Sequence, residues 1–177
     1  AHDDFTARRW VLGRRASLWV SLGVATHTLW TSAAPALSFR LYAEAWNLSP
    51  VETASVFAIY PAFVVGTLVL LGDLSDHIGR RLTMLAALAC SLVGALLFAW
   101  ASCAAWLLAA RAIMGVAVGL ASGASTAAIL EFGANGNPER AAVATNLAQT
   151  FGFAAALVLG GALIQYAPLP LQLNFLL

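Results

Sequence analysis

The chain has 177 residues, of which 61% are hydrophobic and only 10% charged, and its mean hydropathy is +0.83. Soluble domains hold about 25% charged and 45–50% apolar residues, so this composition excludes an ordinary water-soluble fold and predicts an all-α integral membrane protein in a lipid bilayer. The net charge is +1 and no residue is lysine, so there is no basic tract of the kind that binds nucleic acid.

The first residues, Ala1-His2-Asp3-Asp4, are followed by Arg8, Arg9, Arg14 and Arg15 and then by apolar sequence. That order resembles a signal peptide, but the apolar run over 16–39 is too long for one, and it reads as a retained first span. Residues 1–15 are therefore assigned as a cytoplasmic segment and 16–177 as a transmembrane bundle. Further spans are predicted over 50–71, 82–102, 105–132 and 141–166, with a sixth starting near Leu171. Ser49-Pro50-Val51-Glu52 is a helix start with a cap, a proline in the first turn and a capping-box glutamate. Asn137-Pro138 plays the same part before the fifth span, and Pro168 and Pro170 punctuate the turn after it. The chain begins at Ala1 and stops at Leu177 inside an apolar stretch, which reads as part of a longer protein.

Arginines set the orientation. Arg8, Arg9, Arg14, Arg15, Arg80, Arg81 and Arg140 fall in connections on the N-terminal side, and only Arg40 falls on the other. The positive-inside rule then predicts a cytoplasmic N-terminus in the inner membrane. The proline-capped starts of the second and fifth spans lie on opposite sides, as an inverted repeat of three-helix units requires. Cys90 and Cys103 are ~20 Å apart along one span, too far for a disulfide, and read as free thiols with no metal.

Chemistry-bearing residues gather in three places. The densest charge cluster runs from Gly72 to Leu82 and holds Asp76, Gly79, Arg80 and Arg81 between two apolar runs, which marks a tight loop at a membrane face. Arg111 lies about two turns into the fourth span, where a buried charge costs ~2.5–3.5 kcal/mol and demands a cavity or a partner. Gly115, Gly119 and Gly123 follow it at four-residue spacing, a flat ridge for close helix packing. In the first span His27 sits near mid-membrane, able to titrate or simply to hydrogen-bond. The fifth span carries Asn146 and Gln149, then Gly152, Gly160 and Gly161.

The loop pattern Gly72, Asp76, Gly79, Arg80, Arg81 resembles the connection between the second and third helices of the major facilitator superfamily (MFS) of secondary transporters, with His77 where an arginine or lysine is usual. Arg111, Gly115 and Gly119 resemble the family's fourth-helix motif. Gly152, Gly160 and Gly161 resemble the fifth-helix signature of bacterial drug/proton antiporters, with Ala156 for the middle glycine and Leu157 for the proline. The resemblance implies the N-terminal six-helix bundle of that fold, with five complete transmembrane helices and the start of the sixth. It further implies alternating access for a small-molecule substrate, with the proton as coupling ion and efflux of a drug or metabolite as the direction. Proton-coupled uptake, or a dimerising half-transporter that does not transport, are the alternatives. In this reading the loop residues form a conformational latch, and Arg111, His27, Gln149 and Asn146 line the cavity or couple to the proton. A C-terminal bundle, or a second copy, completes the route. No cofactor is implied. An intramembrane serine enzyme built on Ser122-Gly123 lacks the glycine that Leu120 replaces and a later histidine to act as base.

Overall fold

The computed structural model describes residues 13–133 and 137–166, apart from the side chains at 34, 37 and 40. The sixth span near Leu171 and the arginines at 8 and 9 lie outside the described residues. Those residues form six helices and no strand: α1 (Arg14–Trp46), α2 (Pro50–Leu71), α3 (Leu74–Ile78), α4 (Arg80–Ala99), α5 (Ala104–Phe132) and α6 (Pro138–Tyr166). The chain is an all-α membrane protein with the N-terminal bundle architecture expected from its pattern.

Helix α1 runs seven residues past the predicted end at Phe39. A charge marks where a chain meets water, but helical hydrogen bonding continues until a residue can leave the right-handed region. Asn47 does so, with φ 49°, and the Leu48 N–H returns to the Ala43 carbonyl at 3.1 Å. Helix α2 starts as the sequence dictates. Glu52 N–H donates to Ser49 Oγ at 3.2 Å, and Ser49 N–H donates to the Glu52 carboxylate at 2.8 Å. Helix α6 starts three residues earlier than expected, because Asn137 Oδ1 accepts from the Arg140 N–H at 3.1 Å and sets the cap upstream.

The loop expected over 72–82 contains the five-residue helix α3, and α4 begins at Arg80 rather than Leu82. Gly79 makes the corner between them with φ 90°, a conformation that a side chain strains.

Four helices, α2, α4, α5 and α6, are long and apolar enough to cross a bilayer. The first helix is longer than any of them, 33 residues, but its membrane-depth stretch carries Thr26, His27, Thr28, Thr31, Ser32 and Ser38. A polar span is stable when its polar groups face protein, and here Ser21, Thr28, Thr31 and Ser38 are all buried. Three of those hydroxyls return to carbonyls of the same helix: Ser21 to Ser17, Thr28 to Ala25, and Thr31 to both His27 and Thr28.

Helix α5 is the axis of the bundle. It buries residues on almost every face, from Leu107 to Ile129, and packs against α1, α2 and α4. Glycines permit this. A Cβ on Gly115 would lie 2.6 Å from the Tyr60 carbonyl, and one on Gly119 2.6 Å from Thr67 Cβ, so α2 lies directly on that ridge. Gly152 brings α6 onto α1, where a Cβ would fall 2.0 Å from the Thr26 carbonyl. Gly123, the last member of the α5 ridge, faces open space instead. It lines a shallow groove of about 530 Å³ between α2, α5 and α6, with Leu68, Ser122, Thr126, Leu130 and Ala142.

Candidate functional site

Arg111 is the most buried charge among the described residues, 3% exposed. It projects from α5 into a box built by two other helices. Its guanidinium carbon lies 4.8 Å from the centre of the Phe39 ring on α1, and 5.1 Å and 6.0 Å from the Tyr60 and Phe57 rings on α2. One terminal nitrogen donates a long bond, 3.4 Å, to the Ser32 carbonyl, and Nε is buried with no acceptor. No acidic side chain pairs with it among the described residues. A desolvated cation–π contact stabilises by up to ~2 kcal/mol, so the rings together offset a membrane-centre arginine costing ~2.5–3.5 kcal/mol. That balance lets a guanidinium reside here without a carboxylate. Arg111 does not reach up to the interface; it stays inside the bundle.

Both helices that supply the box contain a proline beside it. Pro35 lies within α1, between Ser32 and Phe39, and Pro61 lies within α2, immediately after Tyr60. A proline inside a helix removes the N–H that would bond the carbonyl four residues earlier, here those of Thr31 and Phe57. The box is walled by ring faces, and the main-chain oxygen that Arg111 reaches in it is that of Ser32.

The remaining sequence-predicted residues are placed elsewhere. His27 is half-buried on α1, with Nε2 2.7 Å from Ser91 Oγ on α4. Its partner is therefore on a different helix from those of Arg111. On α6, Asn146 is exposed and Gln149 half-buried, while Thr145 is buried with an unpartnered hydroxyl. The α6 residues that face inward are Ala141, Thr145, Gly152, Ala156 and Gly160.

At the other end of α5 the charged loop does its packing. Arg80 donates to the Ala127 carbonyl at 3.1 Å and pairs with the Glu131 carboxylate. Arg14, from the start of α1, donates to the Phe132 carbonyl at 3.0 Å. The open carbonyls of a helix C-terminus carry partial negative charge, so two arginines from neighbouring helices are well placed there. This also explains how Arg80 tolerates the first turn of α4, where a cation is disfavoured. Asp76 is exposed. A side chain on Gly72 would press on the Leu68 carbonyl of its own helix, 2.5 Å from the new Cβ.

A family model described as Major Facilitator Superfamily matches residues 19–175. The chain belongs to the major facilitator superfamily. No curated protein is significantly similar to it. Members of this superfamily are secondary transporters, so the protein is a multi-pass membrane transporter of small molecules. For a major facilitator, polar groups deep in the bundle are the natural candidates for contact with cargo. Sequence reasoning found Arg111 but not the Phe39, Phe57 and Tyr60 box. The available signal was the pairing of an intramembrane proline with aromatic residues one and four positions before it in α2, which set Tyr60 and Phe57 on neighbouring turns beside Pro61.

Proposed function

We propose that the protein moves a small amphipathic solute by alternating access, outward across the inner membrane, in exchange for protons. The observation that carries this reading is Arg111, a desolvated cation beside two proline-interrupted helices, where a change in helix packing alters how its charge is satisfied. Arg111 is the principal cargo or coupling residue, and His27 a second polar group on α1. Gln149 is half-buried at the edge of the buried stripe of α6, and Asn146 lies on an α6 face that this bundle does not bury, where it can meet a second bundle. That bundle is supplied further along the natural chain or by a second copy.

Gly72, Asp76, Gly79, Arg80 and Arg81 act as the latch on the cytoplasmic side, with the N-terminus in the cytoplasm. Exposure of Asp76 supports this part, since an exposed carboxylate with no side-chain partner among the described residues is available to one outside the bundle. A carboxylate on a helix N-terminus stabilises by ~0.3–2 kcal/mol, enough to bias two conformations without freezing either.

The test is a proteoliposome assay with the natural full-length protein, a pH-sensitive dye inside and a proton gradient imposed. Adding an amphipathic substrate should release protons down the gradient in step with substrate movement. Substrate movement with no accompanying proton flux would contradict the antiport reading.

A further inference from the structure

The groups around Arg111 have one chemistry in common. Three ring faces and the Ser32 carbonyl, the groups that meet its guanidinium, are all electron-rich. Among the described side chains, α1, α2 and α5 bring no second cation to these rings, so with the arginine removed the ring faces favour a cation over an anion. It is a cation receptor. Its present occupant is poorly served as a hydrogen-bonding group, with one 3.4 Å bond and an orphaned Nε, and is held mainly through the rings.

We propose that Phe39, Phe57 and Tyr60 form a binding site for a small organic cation of quaternary ammonium or guanidinium type, and that Arg111 is its tethered occupant. Cargo and the Arg111 guanidinium then occupy the cage alternately. Aromatic cages recognise alkylammonium groups because the ring quadrupole attracts positive charge without demanding hydrogen bonds, which such groups do not offer. Tethering gives Arg111 a high effective concentration at the cage, so a free cation enters only when the helices that carry the rings shift or the arginine is drawn away. Phe57, 44% exposed, is the wall through which a guest would enter. The inference rests on Arg111 lining the transport route, and it names the class of cargo.

The test separates binding from transport. The full-length protein is purified, and its thermal unfolding followed with tetramethylammonium chloride, with sodium chloride at matched strength as control. In Arg111→Ala the cage is vacant, and tetramethylammonium or methylguanidinium at ten times its Kd should raise Tm by about 1 to 3 °C. The wild type should bind at least tenfold more weakly. Adding Phe39→Leu and Tyr60→Leu to Arg111→Ala should abolish the shift. If Arg111→Ala does not fold, Arg111→Met, which keeps the bulk of the stem, takes its place. Folded arginine variants that bind these cations no better than the wild type would overturn the proposal. Substrate-driven proton flux in the wild type would survive that result, so failure of the cage would leave the transporter reading to its own assay.

Discussion

At the scale of single residues, the notable group is a charge stabilised without an opposite charge. A membrane arginine usually meets a carboxylate, but Arg111 meets aromatic faces from α1 and α2. Its stability should therefore depend on the rings individually. Tyr60→Leu removes a face 5.1 Å from the guanidinium and should destabilise the folded bundle by ~1–2 kcal/mol, read from denaturant unfolding in detergent. Tyr60→Phe, which keeps the ring, should cost much less. Equal losses for the two substitutions would mean that the phenol hydroxyl, and not the ring, matters. Arg111 itself was legible in the sequence, because one arginine in a 29-residue helix with no other charge before Glu131 stands out. Its surroundings were not, because the rings come from residues 39, 57 and 60 on two other helices and periodicity says nothing about which helices meet.

At the scale of elements, the glycines separate into those that seat a neighbouring helix and those that do not. Gly115, Gly119 and Gly152 hold backbone or Cβ atoms of another helix within 3 Å of where their own Cβ would be, whereas Gly123 and Gly161 have nothing within 4 Å. Gly152→Ala should drive α6 off α1 and lower Tm sharply, and Gly115→Val should do the same for α2, while Gly123→Ala and Gly161→Ala should leave Tm within a degree or two. Thermal unfolding of the four variants in one detergent decides the matter. Sequence spacing could not make this distinction: Gly119 and Gly123 continue the same four-residue ridge from Gly115, and contact depends on where the neighbouring helix lies. The α6 face shows the same limit. Thr145, Gly152, Ala156 and Gly160 form its buried stripe, and Asn146, one position on from Thr145, is turned about 100° away from it. Helix existence was fully legible for α2, α4, α5 and α6, since each has an apolar run of spanning length. The ends were less so, because α1 continues past its first charge and α4 starts at an arginine that α5 stabilises.

At the scale of the whole molecule, the arginine contacts gather at one end and the Arg111 box lies toward the other, ~30 Å away along α5. In the orientation proposed above, the connection between α4 and α5 faces outward, and it carries Cys103, an exposed free thiol. Cys103 should react with a membrane-impermeant maleimide in intact cells, in a Cys90→Ala background. Labelling only after the cells are permeabilised would invert the topology. If the Arg111 box is the working centre of a transporter, flux depends on its guanidinium. Arg111→Met in the full-length protein, reconstituted beside the wild type at equal density and equal Tm, should lower substrate-coupled proton flux at least tenfold. Flux equal to the wild type in that folded variant would contradict the claim and leave Arg111 as a packing residue.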